Sequence, residues 1–453
     1  MWHRLIAALL AWALLGHDIV AGEVELTPEQ AYQAGFDRLN AGQSELANAI
    51  ADALLQRDPE EFRVLILKAR AARNIGQFDE AAAAGRMAWQ VAQTDIQKFS
   101  AAMVTAQALS SGGQRTRAQL WLRRAANVAP NRGSHALAAR DFRYVRARNP
   151  WATQLSFNIT PSSNINNGSA RETTQVYYFG LPFEFQLSGT ARALEGMEYS
   201  TGVATRYRFA QSATRAHDIV AQFNHRTYSL SADAKAIAPT ASGSDFEFTQ
   251  VALGYVFQGK PKNGLGRYTL NATVGHSWYG GQNYFDYLRL GGSQNIKLDD
   301  KTMLAFSGSV ERQFGDASPD ADIGRVDMRV IRQIGTIGRL SLSLGQSEST
   351  STTDVSEYSE RRTGLNFALA NPILGAQVSL GLDWRHRDYP RSSYDPAGRE
   401  DREASASLNM VFTGIERYGF NPTVSVHASQ TDSSVGRYDS ERLGLSLGVR
   451  SSF

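Results

Sequence analysis

The sequence predicts an α plus transmembrane β protein: N-terminal helical repeats followed by an antiparallel β-barrel of fourteen strands. Three observations carry this. Residues 27–147 are alanine-rich and helix-periodic, with landmarks spaced near 34 residues. After Asn149-Pro150 the helical period gives way to period-2 alternation that runs to the last residue. The alternating segments are about 10 residues long and are joined by turns that are by turns short and long, as in a membrane barrel.

Composition removes whole classes of function. Among 453 residues there is no cysteine, so a disulfide scaffold, a thiolate metal site and a cysteine nucleophile are excluded. Lysine and arginine total 47 against 44 acids and never form a run, which leaves no nucleic-acid footprint. A mean hydropathy of −0.34 argues against membrane helices but not against a barrel, whose strands are apolar on one face only.

The first residues read as a secretory signal peptide over 1–21. His3 and Arg4 precede an apolar run from Leu5 to Leu15, and Ala21 supplies a small residue at the cleavage point. That run is about half of the ~20 residues a spanning helix requires.

A helical domain over 22–147 follows. Helix pairs are expected at 28–40 with 44–56, 61–75 with 78–93, and 95–110 with 114–128. Gly42 and Gly76 are 34 residues apart, and Gly112 follows 36 later; Ala47 and Ala81, and Gly35 and Ala69, repeat the interval of 34. Small residues there let paired helices approach closely. Asp58-Pro59 and Ala129-Pro130 end second helices, because proline cannot continue them. Leu65, Leu67, Trp89 and Trp121 are candidate core positions. This period and placement resemble tetratricopeptide repeats, which implies a groove for a peptide or partner protein.

Residues 148–175 read as a polar inter-domain segment and 176–453 as the barrel. Leu443, Leu445, Leu447 and Val449 alternate with Gly444, Ser446, Gly448 and Arg450. Val378, Leu380, Leu382 and Trp384 alternate likewise with Gln377, Ser379, Asp383 and Arg385. Short turns fall at 298–301, 335–338, 371–374 and 414–418, and long ones at 231–244, 315–322, 347–357 and 389–401. Fourteen segments can be drawn from about Phe179, with a weaker one at 151–160 set aside; chain ends on one side of the membrane require an even number. Leu445, Leu447 and Val449 with the terminal Phe453 resemble the assembly signal of bacterial outer-membrane barrels, implying contact with outer-membrane lipids and the barrel assembly machinery.

No nucleophile elbow, phosphate loop or HExxH motif is present, so no enzyme activity, cofactor or metal is expected. The one acid–histidine candidate is the stretch Asp383-Trp384-Arg385-His386-Arg387-Asp388. Alternation puts His386 on the lipid side and Asp383 in the lumen, so the two should not meet. The other arginines and carboxylates read as lumen lining.

The order of signal peptide, short helical-repeat domain and barrel resembles the Slam (surface lipoprotein assembly modulator) family. The sharpest local element is Phe157-Asn158-Ile159-Thr160-Pro161-Ser162-Ser163-Asn164-Ile165-Asn166-Asn167-Gly168-Ser169, similar to that family's polar, asparagine-bearing lead-in to the barrel. The resemblance implies an outer-membrane translocator with its helical domain in the periplasm, which delivers a client lipoprotein or secreted protein to the cell surface. A repeat-bearing exopolysaccharide exporter is the main rival, and a passive porin the next.

Overall fold

The computed structural model describes residues 26–261, 266–415, 417 and 420–451. The signal peptide expected over 1–21 and the terminal Phe453 lie outside these. The chain divides into two compact units, Met1–Asp141 and Phe142–Phe453.

The first unit is a stack of antiparallel helices: α1 (Pro28–Asn40), α2 (Ser44–Arg57), α3 (Phe62–Asn74), α4 (Phe78–Val91), α5 (Asp95–Ser111) and α6 (Arg115–Asn127). These are the three expected pairs. Thr27 caps α1 and Thr94 caps α5, each in a reciprocal arrangement with a glutamine three residues on (Gln30, Gln97). A seventh helix, α7 (Arg132–Arg148), was not expected and crosses the division between the units.

The first helix of each pair ends in one recurring device. Gly42, Gly76 and Gly113 adopt φ of 78°, 85° and 79°. The N–H of the glutamine after each glycine then donates five residues back, to Arg38, Ala72 and Leu109, at 2.8–2.9 Å. This closure needs a left-handed residue, which glycine adopts without a Cβ penalty. The third landmark is therefore Gly113 rather than Gly112. The longer interval has a plain cause: α5 runs 17 residues where α1 and α3 run 13.

Small residues set the spacing between helices. A Cβ on Gly35 would lie 2.8 Å from Leu67 Cδ2, so α1 and α3 can meet only at glycine. Ala47, Ala51, Val64, Leu67 and Ala71 form one core cluster. Leu65, Ala88 and Ala101 form another, flanked by Trp89, which meets Trp121 edge to face at 5.6 Å. Polar contacts join equivalent places in successive pairs: Arg63 donates to Glu29 at 2.6 and 3.0 Å, and Arg73 to Gln107 at 2.7 Å, each 34 residues apart. Arg63 also lies over the Tyr32 ring at 4.8 Å. Helices α1, α3 and α5 thus share a continuous face.

The second unit contains a closed barrel of fourteen antiparallel strands. Its members are β1 (Trp151–Ser162) and then β4 (Gly196–Gln211), β5 (Arg215–Leu230), β6 (Phe248–Gly259), β7 (Arg267–Tyr279), β8 (Gln282–Lys297) and β9 (Thr302–Gly315). They continue as β10 (Ala321–Ile334), β11 (Gly338–Ser351), β12 (Tyr358–Leu369), β13 (Ala376–Tyr389), β14 (Arg399–Phe412), β15 (Phe420–Ser433) and β16 (Ser440–Ser451). Between β1 and β4, β2 (Thr173–Tyr178) and β3 (Leu181–Gln186) form a separate two-stranded hairpin.

The strand total is the expected one, but its membership differs. The stretch 151–162, expected within an inter-domain segment, pairs with β4 along its full length and with β16. The segment starting near Phe179 belongs to the hairpin instead. Strands β2 and β3 have 6 residues each, short of the roughly 9–11 a tilted membrane strand requires. Alternation alone does not separate a spanning strand from a loop hairpin; length does.

Registers keep one face continuous around the barrel. Leu447 pairs with Val424, Val424 with Met410, Met410 with Val378. Leu408 pairs with Leu380, Leu380 with Phe367, Phe367 with Leu340. Leu445 on this face is 45% exposed. A closed barrel turns such a band toward hydrocarbon, leaving the polar face to the lumen. Connections at the end of the barrel where β1 begins span 3–7 residues, and the longest, 163–195 and 231–247, lie at the other end, where β7 and β8 are nonetheless joined by only Gly280-Gly281, both at positive φ (56° and 77°), as a tight hairpin demands.

Arginine at Leu445 or Leu380 should oppose insertion by about 2–4 kcal/mol near the bilayer midplane, whereas arginine at the lumen positions Ser446 or Ser379 should be mild. The folded fraction, read from the mobility difference between unheated and boiled samples on a detergent gel, checks this; equal loss at both pairs would reverse the assigned faces.

Candidate functional site: the barrel lumen

Alternation and register place a network of arginines and carboxylates on the inner face of β8 to β14. Glu311 on β9 is bonded by Arg289 on β8 and lies 3.4 Å from Arg325 on β10. Arg362 on β12 reaches Asp327 on β10 at 3.1 Å, crossing β11 at Gly345, where a Cβ would collide with the Asp327 carboxylate. Glycine on β11 is thus what lets two strands that are not neighbours share an ion pair. Arg362 also lies 3.5 Å from Glu360. Glu360 accepts from Arg387 (Nε at 2.8 Å) and faces Arg385 at 3.8 Å, and Arg385 binds Glu403 on β14.

The network makes physical sense as a lumen lining. Glu311 and Glu360 are only 4% and 3% exposed. Buried carboxylates at these positions require compensating cations, and each has at least two. Asp218 on β5, 0% exposed, follows the same rule, with Arg208 donating twice (2.7 and 2.9 Å) and Arg206 at 3.9 Å. Beside the network opens a cleft of about 600 Å³ lined by Asn295, Ser307, Arg329, Ser343, Asp383 and Ser405 among others. The β15–β16–β1–β4 side of the lumen bears mainly hydroxyls and amides, such as Ser425, Ser446, Asn158 and Ser200.

The residues singled out in sequence fall as follows. Leu445, Leu447 and Val449 face outward. Asp383 lines the lumen cleft while His386 points outward, so the two do not meet. His386 instead lies 2.7 Å from Glu400 and 3.3 Å from Asp388, near the long-loop end of the wall. Glu400 is shared there with Arg402 at 2.6 Å.

Sequence reasoning gave no role to the asparagines of 157–169, and the structure supplies one. Asn164, 1% exposed, donates to the Gly168 carbonyl (2.9 Å) and the Glu441 carbonyl (3.3 Å) and accepts from the Gly168 N–H (3.1 Å). Asn166 donates to the carbonyls of Thr190 and Arg192 and accepts from the Leu194 N–H, all at 2.9 Å. Both satisfy backbone groups of the loop, and Asn164 also ties the loop to Glu441 of β16. Around them Ser163 and Leu443 exchange hydrogen bonds, Ser169 donates to the Gly436 carbonyl at 2.8 Å, and Arg171 pairs with Asp439.

No protein-family model and no curated protein matches the chain. Among solved structures, the chain is similar over 29% of its length to the type III secretion translocator chaperone SycD of Yersinia enterocolitica, at 19% identity over 94% of that chain and a TM-score of 0.25. It is similar over 67% of its length to a loop-deleted OmpT, an outer membrane protein of Vibrio cholerae, at 7% identity over 99% of that chain and a TM-score of 0.35. A BenF-like porin from Pseudomonas fluorescens gives 7% identity, the same 67% and 99% coverages and a TM-score of 0.36. No activity is carried over from these. The chain itself is a helical-repeat domain of tetratricopeptide-like form followed by a closed fourteen-stranded barrel of the outer-membrane type.

Replacing Glu360 with alanine should destabilise the barrel, because Arg385 and Arg387 lose their shared partner. Arg385 and Arg387 keep 39% and 25% of their side-chain surface exposed, so the loss should come to ~1–3 kcal/mol, below the ~3–5 kcal/mol of a fully dry pair. Urea unfolding in detergent measures it, and an unchanged midpoint would show that water replaces the carboxylate without cost.

Proposed function

We propose that this protein is an outer-membrane translocator that delivers a client lipoprotein or secreted protein to the cell surface. The observation that carries the reading is the union, in one chain, of a helical-repeat array with a barrel whose lumen lining is mainly polar and charged. The face shared by α1, α3 and α5, with Tyr32, Arg63 and Arg73, is a surface on which an extended client segment can lie. Strand β1 starts at the short-turn end of the barrel, which in this reading is periplasmic, and the helical domain precedes β1 in the chain. The resemblance to the Slam family points the same way. The role requires no active site; the barrel's partners are the client, the assembly machinery and membrane lipid.

A second reading, passage of solutes as in a porin, draws on the lumen alone and leaves the helices without work. A deletion strain separates the readings. Under the proposal the client is made and processed but stays inside, becoming sensitive to protease only after the outer membrane is opened. Removing 27–127 while keeping α7 and the barrel should lower delivery with the barrel still assembled. Intact surface display together with loss of secreted polysaccharide would end the proposal in favour of a polymer exporter.

A further inference from the structure

We propose that the lumen is selective for anions, and that carboxylate- or phosphate-bearing solutes are the class it admits best. The inference rests on reading the lumen as a passage, not on the helical domain's capture of a client. The whole chain carries a formal charge of only +3. The two faces of the barrel wall divide that charge very unequally. By register, the inner positions of the strands carry fifteen arginines and lysines against eight carboxylates. The outward positions carry five against seven.

Structural demand explains part of the inner set and leaves the remainder. Asp218, Glu311 and Glu360 are buried and need the arginines around them. Arg226, Arg267, Arg329, Arg339 and Arg450 are exposed inner residues with no carboxylate partner among the described residues. Arg442 is bound, among the described residues, by loop oxygens, the Asn164 carbonyl at 3.0 Å and the Asn167 side chain. Two inner carboxylates, Glu198 and Asp383, lack a cation in return among the described residues. The uncompensated charge is therefore cationic and spread over five strands of the ring, β5, β7, β10, β11 and β16.

Such an arrangement has a definite physical effect. A channel walled by low-dielectric material concentrates the field of its lining charges, raising the local concentration of counter-ions and lowering that of co-ions. Rings of arginine and lysine are the chemistry of anion pores. Arginine also offers paired N–H donors that match carboxylate and phosphate oxygens. Arg329, beside the cleft lined by Ser307, Ser343 and Ser405, combines a free guanidinium with hydroxyl donors at one level.

The test is the reversal potential of the purified full-length protein in a planar bilayer under a potassium chloride gradient. Chloride should permeate better than potassium. The double variant R226E/R329E should lower the chloride-to-potassium ratio by roughly threefold or more at low salt, and R226Q/R329Q should fall between. R361E, a reversal on the outward face, should leave the ratio unchanged. The gel mobility of each variant confirms that it is folded. Preference for potassium, absence of conductance, or equal shifts from R361E and R226E/R329E would each overturn the proposal. A channel that is anion-selective in a strain whose surface display is intact would retain this inference and remove the translocator reading.

Discussion

Hydrocarbon offers no hydrogen-bonding partner, and the rest of this structure follows from that. Each strand of the wall must find donors and acceptors on both sides, because a single free edge in lipid leaves a row of backbone groups unsatisfied. Thirteen of the strands follow one another in sequence and pair with their neighbours. The ring is completed only because β1 pairs with β4 on one side and β16 on the other. This explains why a modest stretch such as 151–162, with Gln154, Ser156 and Asn158 on its inner face, is used as a strand. It supplies the backbone that the last strand needs.

Closure then dictates the side chains. With the outward face committed to lipid, nearly all charge is pushed inward or to the strand ends. Long arginines crowd a narrow space there, and glycine on neighbouring strands lets them cross, as Gly345 does beneath Arg362 and Asp327. Buried carboxylates gather two or three cations each, and what is left over gives the lumen its sign. The lining is thus a product of wall geometry first and of cargo chemistry second.

Much of this was legible in the sequence, and the reasons are local. Alternation names the face of every strand residue, so the outward placement of Leu445 and Leu380 and the separation of His386 from Asp383 could be read directly. Helix pairs were visible because glycine and alanine spacing and proline stops are short-range signals. Three features were not. Strand β1 and the β2–β3 hairpin carry similar alternation, and only long-range pairing tells which joins the ring. Helix α7 follows Ala129-Pro130, which reads as an ending. The tasks of Asn164 and Asn166 depend on carbonyls up to 277 residues away, beyond any motif. The ionic network was foreseen as lining in kind, but its membership is set by register across strands.

The asparagine-held loop has a consequence for how the ring could come apart. Thirteen seams of the barrel join strands that are consecutive in the ring by chain order or, for β1 and β4, by the loop itself; the β1–β16 seam joins residues near the two ends of the barrel segment. At its outer end that seam is extended by Asn164, Ser163, Arg171 and Arg442, which tie the loop to β16 and to the turn before it. Below it β16 pairs with β1 from Ser162 to Ser156. A zipper pinned at one end parts from the other. Any sideways opening of this wall toward lipid at this seam would have to stop at the knot the asparagines make.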